Sequence, residues 1–273
     1  MCSQAGHNDR VSVQLTMTSV DMFEDLGSRK INATDPRLLE YLRDKWIFAP
    51  SRRPYNLDNP EKEHMSQIGQ SQVVDKLLKQ RKNGFFVEAG ASDGEKFSNS
   101  LFFERFRNWS GVLVEANPLS FHTLSKKHRK AFTINSCLSL SPHPDRVEFT
   151  MASSLGGITQ EAYNIPSSEV SLISGRSLVQ CFSIHSILGA LCVNHVDYFS
   201  LDVEGAEVEI LRTFPWKDIT VDIWSIEYAV HGGGKDTPKR LLAIRDIFQK
   251  TGAYEEIGLE KRQDVLFARK EIL

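Results

Sequence analysis

Five carboxylates stand at matching places along this chain. Glu88, Glu115, Asp202 and Glu227 each close a short apolar run, and Glu204 follows Asp202 by two residues. Acids so placed can hold a ligand's hydroxyl or ammonium groups, or take a proton from a nucleophile. Glu204 and Glu227 are candidates for that proton acceptor. So is His231, which follows the Glu227 run and precedes Gly232-Gly233-Gly234. Asp202, Glu204 and Glu227 would also suit Mg²⁺, which prefers oxygen ligands. Their spacing carries no ligand signature, so no metal is expected.

The turn after the first run decides the kind of ligand. Phe85-Phe86-Val87-Glu88-Ala89 leads into Gly90-Ala91-Ser92-Asp93-Gly94-Glu95. A pyrophosphate-binding turn needs Gly-x-Gly-x-x-Gly, so that backbone N–H groups can approach the phosphates. Here only Gly90 and Gly94 are present, and Glu88, Asp93 and Glu95 would repel a pyrophosphate. The same acids suit a cationic ligand without phosphate, such as S-adenosylmethionine, whose sulfonium and amino groups are positive. They would equally serve as caps at a helix start. Glu115 lies roughly 20 residues beyond the turn, where an acid commonly holds ribose hydroxyls.

The elements that must carry these residues can be read from the pattern. Each apolar run is a buried strand, and helices follow at Phe97–Phe106, Leu119–Arg129 and Glu207–Arg212. Repeated strand–turn–helix units imply an α/β doubly wound sheet, whose ligands sit outside the carboxyl ends of the strands. Glu88, Glu115, Asp202, Glu204 and Glu227 are thereby expected on one rim. Residues 1–34 form a polar N-terminal segment, and 35–83 a helical extension. That extension holds a helix at 35–48, a turn-rich stretch from Pro50 to Pro60 and an amphipathic helix over Gln70–Lys82. The main domain spans 84–273. Further strands are expected at Ala131–Asn135, Arg146–Met151, Ser177–Phe182, Tyr254–Leu259 and Asp264–Arg269, with a loop-like insertion at Ser153–Ser174.

Phe86-Val87-Glu88-Ala89-Gly90-Ala91-Ser92-Asp93-Gly94-Glu95, Ser98-Asn99-Ser100-Leu101, Trp109 to Pro118, and Leu201-Asp202-Val203-Glu204-Gly205-Ala206-Glu207 together resemble the FkbM-type methyltransferases. Within them the chain looks most like the Star-like animal branch. That branch shares the signatures Asp35-Pro36-Arg37-Leu38-Leu39 and Pro50-Ser51-Arg52-Arg53-Pro54-Tyr55-Asn56-Leu57. The resemblance implies a Rossmann-like class I fold with a mostly parallel sheet, S-adenosylmethionine as cofactor and O-methylation as activity. It implies Glu88, Gly90, Ala91, Asp93, Gly94, Glu115 and Asp202 as cofactor-binding residues, and a small-molecule or glycan-like acceptor. The Star-like likeness implies a second reading: a catalytically silent module assisting vesicle-mediated transport of membrane-protein cargo between ER, Golgi and endosomes.

Composition sets the outer bounds. The 273 residues, 41% of them hydrophobic, suffice for a sizeable core. A formal net charge of −2 gives no reason to expect nucleic acid as partner. The basic run Lys126-Lys127-His128-Arg129-Lys130 reads as a solvated helix end. No apolar stretch approaches the ~20 residues of a membrane span, and no signal-peptide core is visible. That favours a cytoplasmic location, whereas the family resemblance favours the secretory and endosomal route. Cys2, Cys137, Cys181 and Cys192 lack zinc-site spacing. Cys137, Cys181 and Cys192 are expected to pack as small hydrophobes, with one disulfide among them left open. Asn32-Ala33-Thr34 and Asn108-Trp109-Ser110 match the N-glycosylation pattern.

Overall fold

The protein is described from a computed structural model, which describes residues 30–152, 157–158, 173–229, 237–258 and 263–273. The N-terminal extension begins with helix α1 (Pro36–Lys45) and the short strand β1 (Ile47–Phe48). Asp35 caps α1 by accepting the Arg37 N–H at 2.9 Å, and Pro36 sets the first helical φ. Leu38 and Leu42 on its inner face are fully buried in the main core. Helix α2 (Gln70–Leu77) is shorter than its periodicity suggests, because Lys79 and Gln80 turn left-handed just beyond it.

The central elements follow in chain order. Strand β2 (Phe85–Ala89) leads to α3 (Leu101–Phe106), β3 (Ser110–Val114) to α4 (Pro118–Lys126), and β4 (Phe132–Ile134) to β5 (Cys137–Leu138). Next come β6 (Asp145–Ala152), β7 (Gly157–Ile158), β8 (Ile173–Phe182) and α5 (Ile184–Ala190). The chain continues through β9 (His195–Leu201), α6 (Glu207–Thr213), β10 (Thr220–Glu227), α7 (Thr237–Thr251), β11 (Tyr254–Ile257) and β12 (Asp264–Arg269).

Eight strands form one sheet in the order β1-β4-β3-β2-β9-β10-β12-β11. From β4 to β10 every pairing is parallel, while β1 and β12 run antiparallel to their neighbours. The chain winds one way from β2 to β3 and the other way to β9, so the switch point lies between β2 and β9. Parallel strands covered on both faces are rich in apolar residues, which is why β2, β9 and β10 were legible. Their Phe86, Tyr198, Phe199 and Trp224 are completely buried, each contributing ~2–3 kcal/mol through removal from water. Trp224 stacks on Phe199 with ring centroids 4.4 Å apart.

A second sheet, β5-β8-β6-β7, was not foreseen as a unit. The Cys137–Cys181 disulfide ties β5 to β8, with Cα atoms 4.3 Å apart. Cys192 is disulfide-bonded as well. Cys137 and Cys181 are buried as expected, and the disulfide that the sequence left open joins them.

The basic run at the end of α4 needs correction. His128 adopts a left-handed φ of 55°, which ends the helix and turns two cations inward. The Lys127 ammonium bonds Asp58 at 2.6 Å and Glu95 at 2.7 Å. The fully buried Arg129 pairs with the fully buried Glu104 at 3.0 Å. Glu95 also accepts the N–H groups of Asp58 and Asn59, so these ion pairs fasten the Pro50–Pro60 stretch to the turn after β2. Among the described residues no helix is long and apolar enough to cross a membrane.

Candidate active site at the switch point of the sheet

The turn after β2 is shaped by one close approach. Gly90, at φ 85°, donates its N–H to Val114 O at 3.0 Å. A Cβ on Gly90 would lie 1.7 Å from Asp202 O, so only glycine lets the turn pass the end of β9. The returning bond, Asp202 N–H to Ala89 O at 3.1 Å, locks the two strand ends together. Above them opens a cleft lined in part by Glu88, Gly90, Glu115, Asp202, Glu204 and Glu227. The rim of acids expected from the sequence is thus assembled.

The acids do different work. Glu88, at 4% exposure, accepts Ser98 Oγ at 2.9 Å, Ser100 Oγ at 2.5 Å and the Asn99 N–H at 2.7 Å. It therefore winds residues 98–100 into a tight entry to α3, which is why the helix begins at Leu101 rather than Phe97. Glu115 receives the Ser92 and Asn117 N–H groups at 2.7 Å each, one per oxygen. Burial pushes its carboxyl up to about 7, these N–H groups hold it down, and the Asp202 charge raises it further. Desolvation, reinforced by Asp264, also lifts Asp202 to about 7, while a hydrogen bond to Glu227 opposes the shift. Burial first, then the charges of Asp202 and Glu204, drive Glu227 well above the ordinary carboxylate range.

Two sequence candidates stand apart from the cleft. Asp93 Oδ1 accepts the Glu95 and Lys96 N–H groups at 2.8 Å each, so its carboxylate shapes the turn. Gly94 faces Leu124, whose Cγ a Cβ would meet at 2.9 Å. Ala91 does line the cleft. His231 lies outside the described residues, as do Gly232, Gly233 and Gly234 and most of the Ser153–Ser174 insertion.

The loop from Asp202 to Glu207 is held from behind. Glu207, completely buried, accepts the Val203 N–H at 2.9 Å and the Gly205 N–H at 3.1 Å. Arg240, from α7, bonds both the Glu207 carboxylate and Gly205 O, the latter at 2.8 Å. Glu204 is thereby kept at φ 56°, a conformation costing ~1–3 kcal/mol in a non-glycine residue. Phe97 is similarly strained at φ 64° and stands 44% exposed at the cleft.

Sequence reasoning missed Asn99 and Ser136 as site residues. Both line the cleft, at 6% and 1% exposure. Asn99 donates to Ser200 Oγ at 2.9 Å, yet its Oδ1 has no hydrogen-bond partner among the described residues, and neither has Ser136 Oγ. Glu227 Oε2 is a third orphan on the same cleft. The Ser98-Asn99-Ser100 triplet ahead of an apolar helix was a usable signal for the first, whereas nothing around Ser136 marked it.

Sheet order and switch-point cleft define the class: a Rossmann-like class I S-adenosylmethionine-dependent methyltransferase fold, α/β with a mostly parallel sheet flanked by helices. Residues 88–253 match the Methyltransferase FkbM domain, and the chain belongs to that family. Solved structures with a similar fold include the methyltransferase FkbM from Methylobacillus flagellatus, at 12% identity and TM-score 0.43, covering 68% of this chain. This chain spans only 43% of that structure's length. The delta-N METTL16 MTase domain is similar at 11% identity and TM-score 0.41, over 87% of this chain and 95% of that one. Aeropyrum pernix fibrillarin, solved with natively bound S-adenosyl-L-methionine, is similar at 12% identity and TM-score 0.38, covering 75% of this chain and 74% of its own. No curated protein matches the chain in sequence.

Proposed function

We propose that this chain binds S-adenosylmethionine in the cleft and transfers its methyl group to an oxygen nucleophile. The observation that carries the reading is the convergence of three shielded orphan atoms, Asn99 Oδ1, Ser136 Oγ and Glu227 Oε2, on one cleft beside the Gly90 turn. Buried polar atoms without partners are costly, and a polar ligand in the cleft would satisfy them. Glu115 keeps a free lone pair on each oxygen and is assigned to the ribose hydroxyls. Ser136, beyond the end of β4, is assigned to the base. Gly90, Ala91 and Asp202 take the methionine end.

Bound there, S-adenosylmethionine would supply the methyl group and leave as S-adenosylhomocysteine, and a side chain of the cleft would take up the proton of the acceptor hydroxyl. Glu204, Glu227 and His231 are the candidate acceptors of that proton. Most of the rate would come from holding methyl and oxygen in line.

Calorimetric titration with S-adenosylmethionine and S-adenosylhomocysteine tests the reading. Wild type binds both, and Glu115→Ala weakens each by ~1–3 kcal/mol. Equal affinity in wild type and variant would remove the assignment. The Star-like kinship rests on residues 35–57, outside the matched 88–253. Capture of membrane-protein cargo without any cofactor binding would favour that module instead.

A further inference from the structure

We propose that Asp202, Glu204 and Glu227 form a site for one divalent cation of the Mg²⁺/Mn²⁺ type. One carboxylate oxygen from each of the three lies within 4.8 Å of the others. Around a six-coordinate ion with bonds of ~2.1 Å, ligand oxygens lie about 3 to 4.2 Å apart. A small closing movement would therefore bring all three onto one ion. The fold imposes this meeting. The register Leu201↔Ile226 sets Asp202 beside Glu227, and the Glu207–Arg240 clamp holds the loop that carries Glu204.

Two unpartnered acceptors point to a cation, one within the acid cluster and one beyond it. Glu227 Oε2 is shielded from water and receives no hydrogen bond among the described residues. Asn99 Oδ1 is a second orphan acceptor lining the same cleft, on a side chain 6% exposed that is tied to Ser200 beneath Asp202. The other acid group, His195, Asp197 and Asp222, is different: Arg81 bonds Asp197 at 2.5 Å and Asp222 at 2.6 Å, occupying it.

Uptake of the ion stands independently of methyl transfer. Its use, holding an acceptor oxygen and lowering that hydroxyl's pKa, rests on the function proposed above. Titration of the unmodified chain with Mn²⁺ alone, followed by loss of the free-ion electron paramagnetic signal, tests the site. One saturable ion per chain is expected, with Mg²⁺ competing for it. Glu204→Gln and Glu227→Gln should each weaken uptake roughly tenfold or more, because each removes one of three charged ligands. In wild type, Mn²⁺ should broaden the amide signals of residues 202–205 and 227 before others, a readout needing no variant. Absence of saturable uptake into the millimolar range, uptake indifferent to both substitutions, or broadening centred elsewhere overturns the site. S-adenosylhomocysteine binding without Mn²⁺ uptake would sink the ion site and spare the methyl-transfer reading, and the reverse result would do the opposite.

Discussion

Gly90 shows how one missing side chain governs the whole rim. Its left-handed φ is open to a few residue types, but the 1.7 Å distance from a built Cβ to Asp202 O is open to none. Gly90→Ala must therefore push the end of β9 away from β2, breaking the Asp202 N–H to Ala89 O bond. The expected result is loss of S-adenosylhomocysteine binding, with unfolding stability lower by ~2–4 kcal/mol from combined strain and overpacking. Calorimetry and chemical denaturation read the two effects separately. Unchanged affinity would mean that the close approach does not shape the ligand site. Asp93 makes the complementary point. Its residue type and position read as ligand-binding, yet its Oδ1 accepts the Glu95 and Lys96 N–H groups of its own turn. A sequence cannot tell those uses apart, because both call for an acid at the same place.

At the scale of elements, what could be read depended on how much pattern each carried. β2, β3, β9 and β10 are buried on both faces, so their apolar-rich runs and terminal acids stood out. β5 and β7 have two residues each, too few for any period, and the second sheet stayed hidden with them. Helix α7 had a readable stripe in Leu241, Ile244, Ile247 and Phe248, but it follows a glycine run that reads as loop. The disulfide was left open because four cysteines without motif spacing leave the pairing undetermined. Its place has consequences, since Cys137 and its neighbour Leu138 line the cleft. The bridge spans 44 residues, and its removal should cost ~2–4 kcal/mol through a freer unfolded chain. Paired Cys137→Ser and Cys181→Ser substitutions are expected to lower Tm and to weaken S-adenosylhomocysteine binding by loosening the cleft wall. Thermal unfolding of the double variant checks this, and an unaltered Tm would rule out a stabilising role. A buried cross-link of this kind also forms most readily in an oxidising compartment, which bears on where the chain folds.

For the whole molecule, a cleft rich in desolvated acids couples stability to pH in a direction opposite to the usual one. Glu115 titrates at 4.5 when unperturbed and at about 7 in the fold, so between those values the folded state holds a proton that the unfolded state has released. Stability without ligand must then fall as pH rises through that window, by up to about 3 kcal/mol from this carboxyl. Ligand affinity should move the other way. The ionised carboxylate is the better acceptor for ribose hydroxyls and the better neighbour for a cationic cofactor, so S-adenosylmethionine should bind more tightly at pH 8 than at pH 6. Glu115→Gln separates this residue from the other acids of the cleft: it should flatten part of the fall in Tm between pH 5 and 8 and remove part of the rise in affinity. Paired thermal unfolding and calorimetry across that range make the check. If stability and affinity rose together with pH, Glu115 could not be both buried as an acid and used as an anion, and the assignment of the ribose to it would fail.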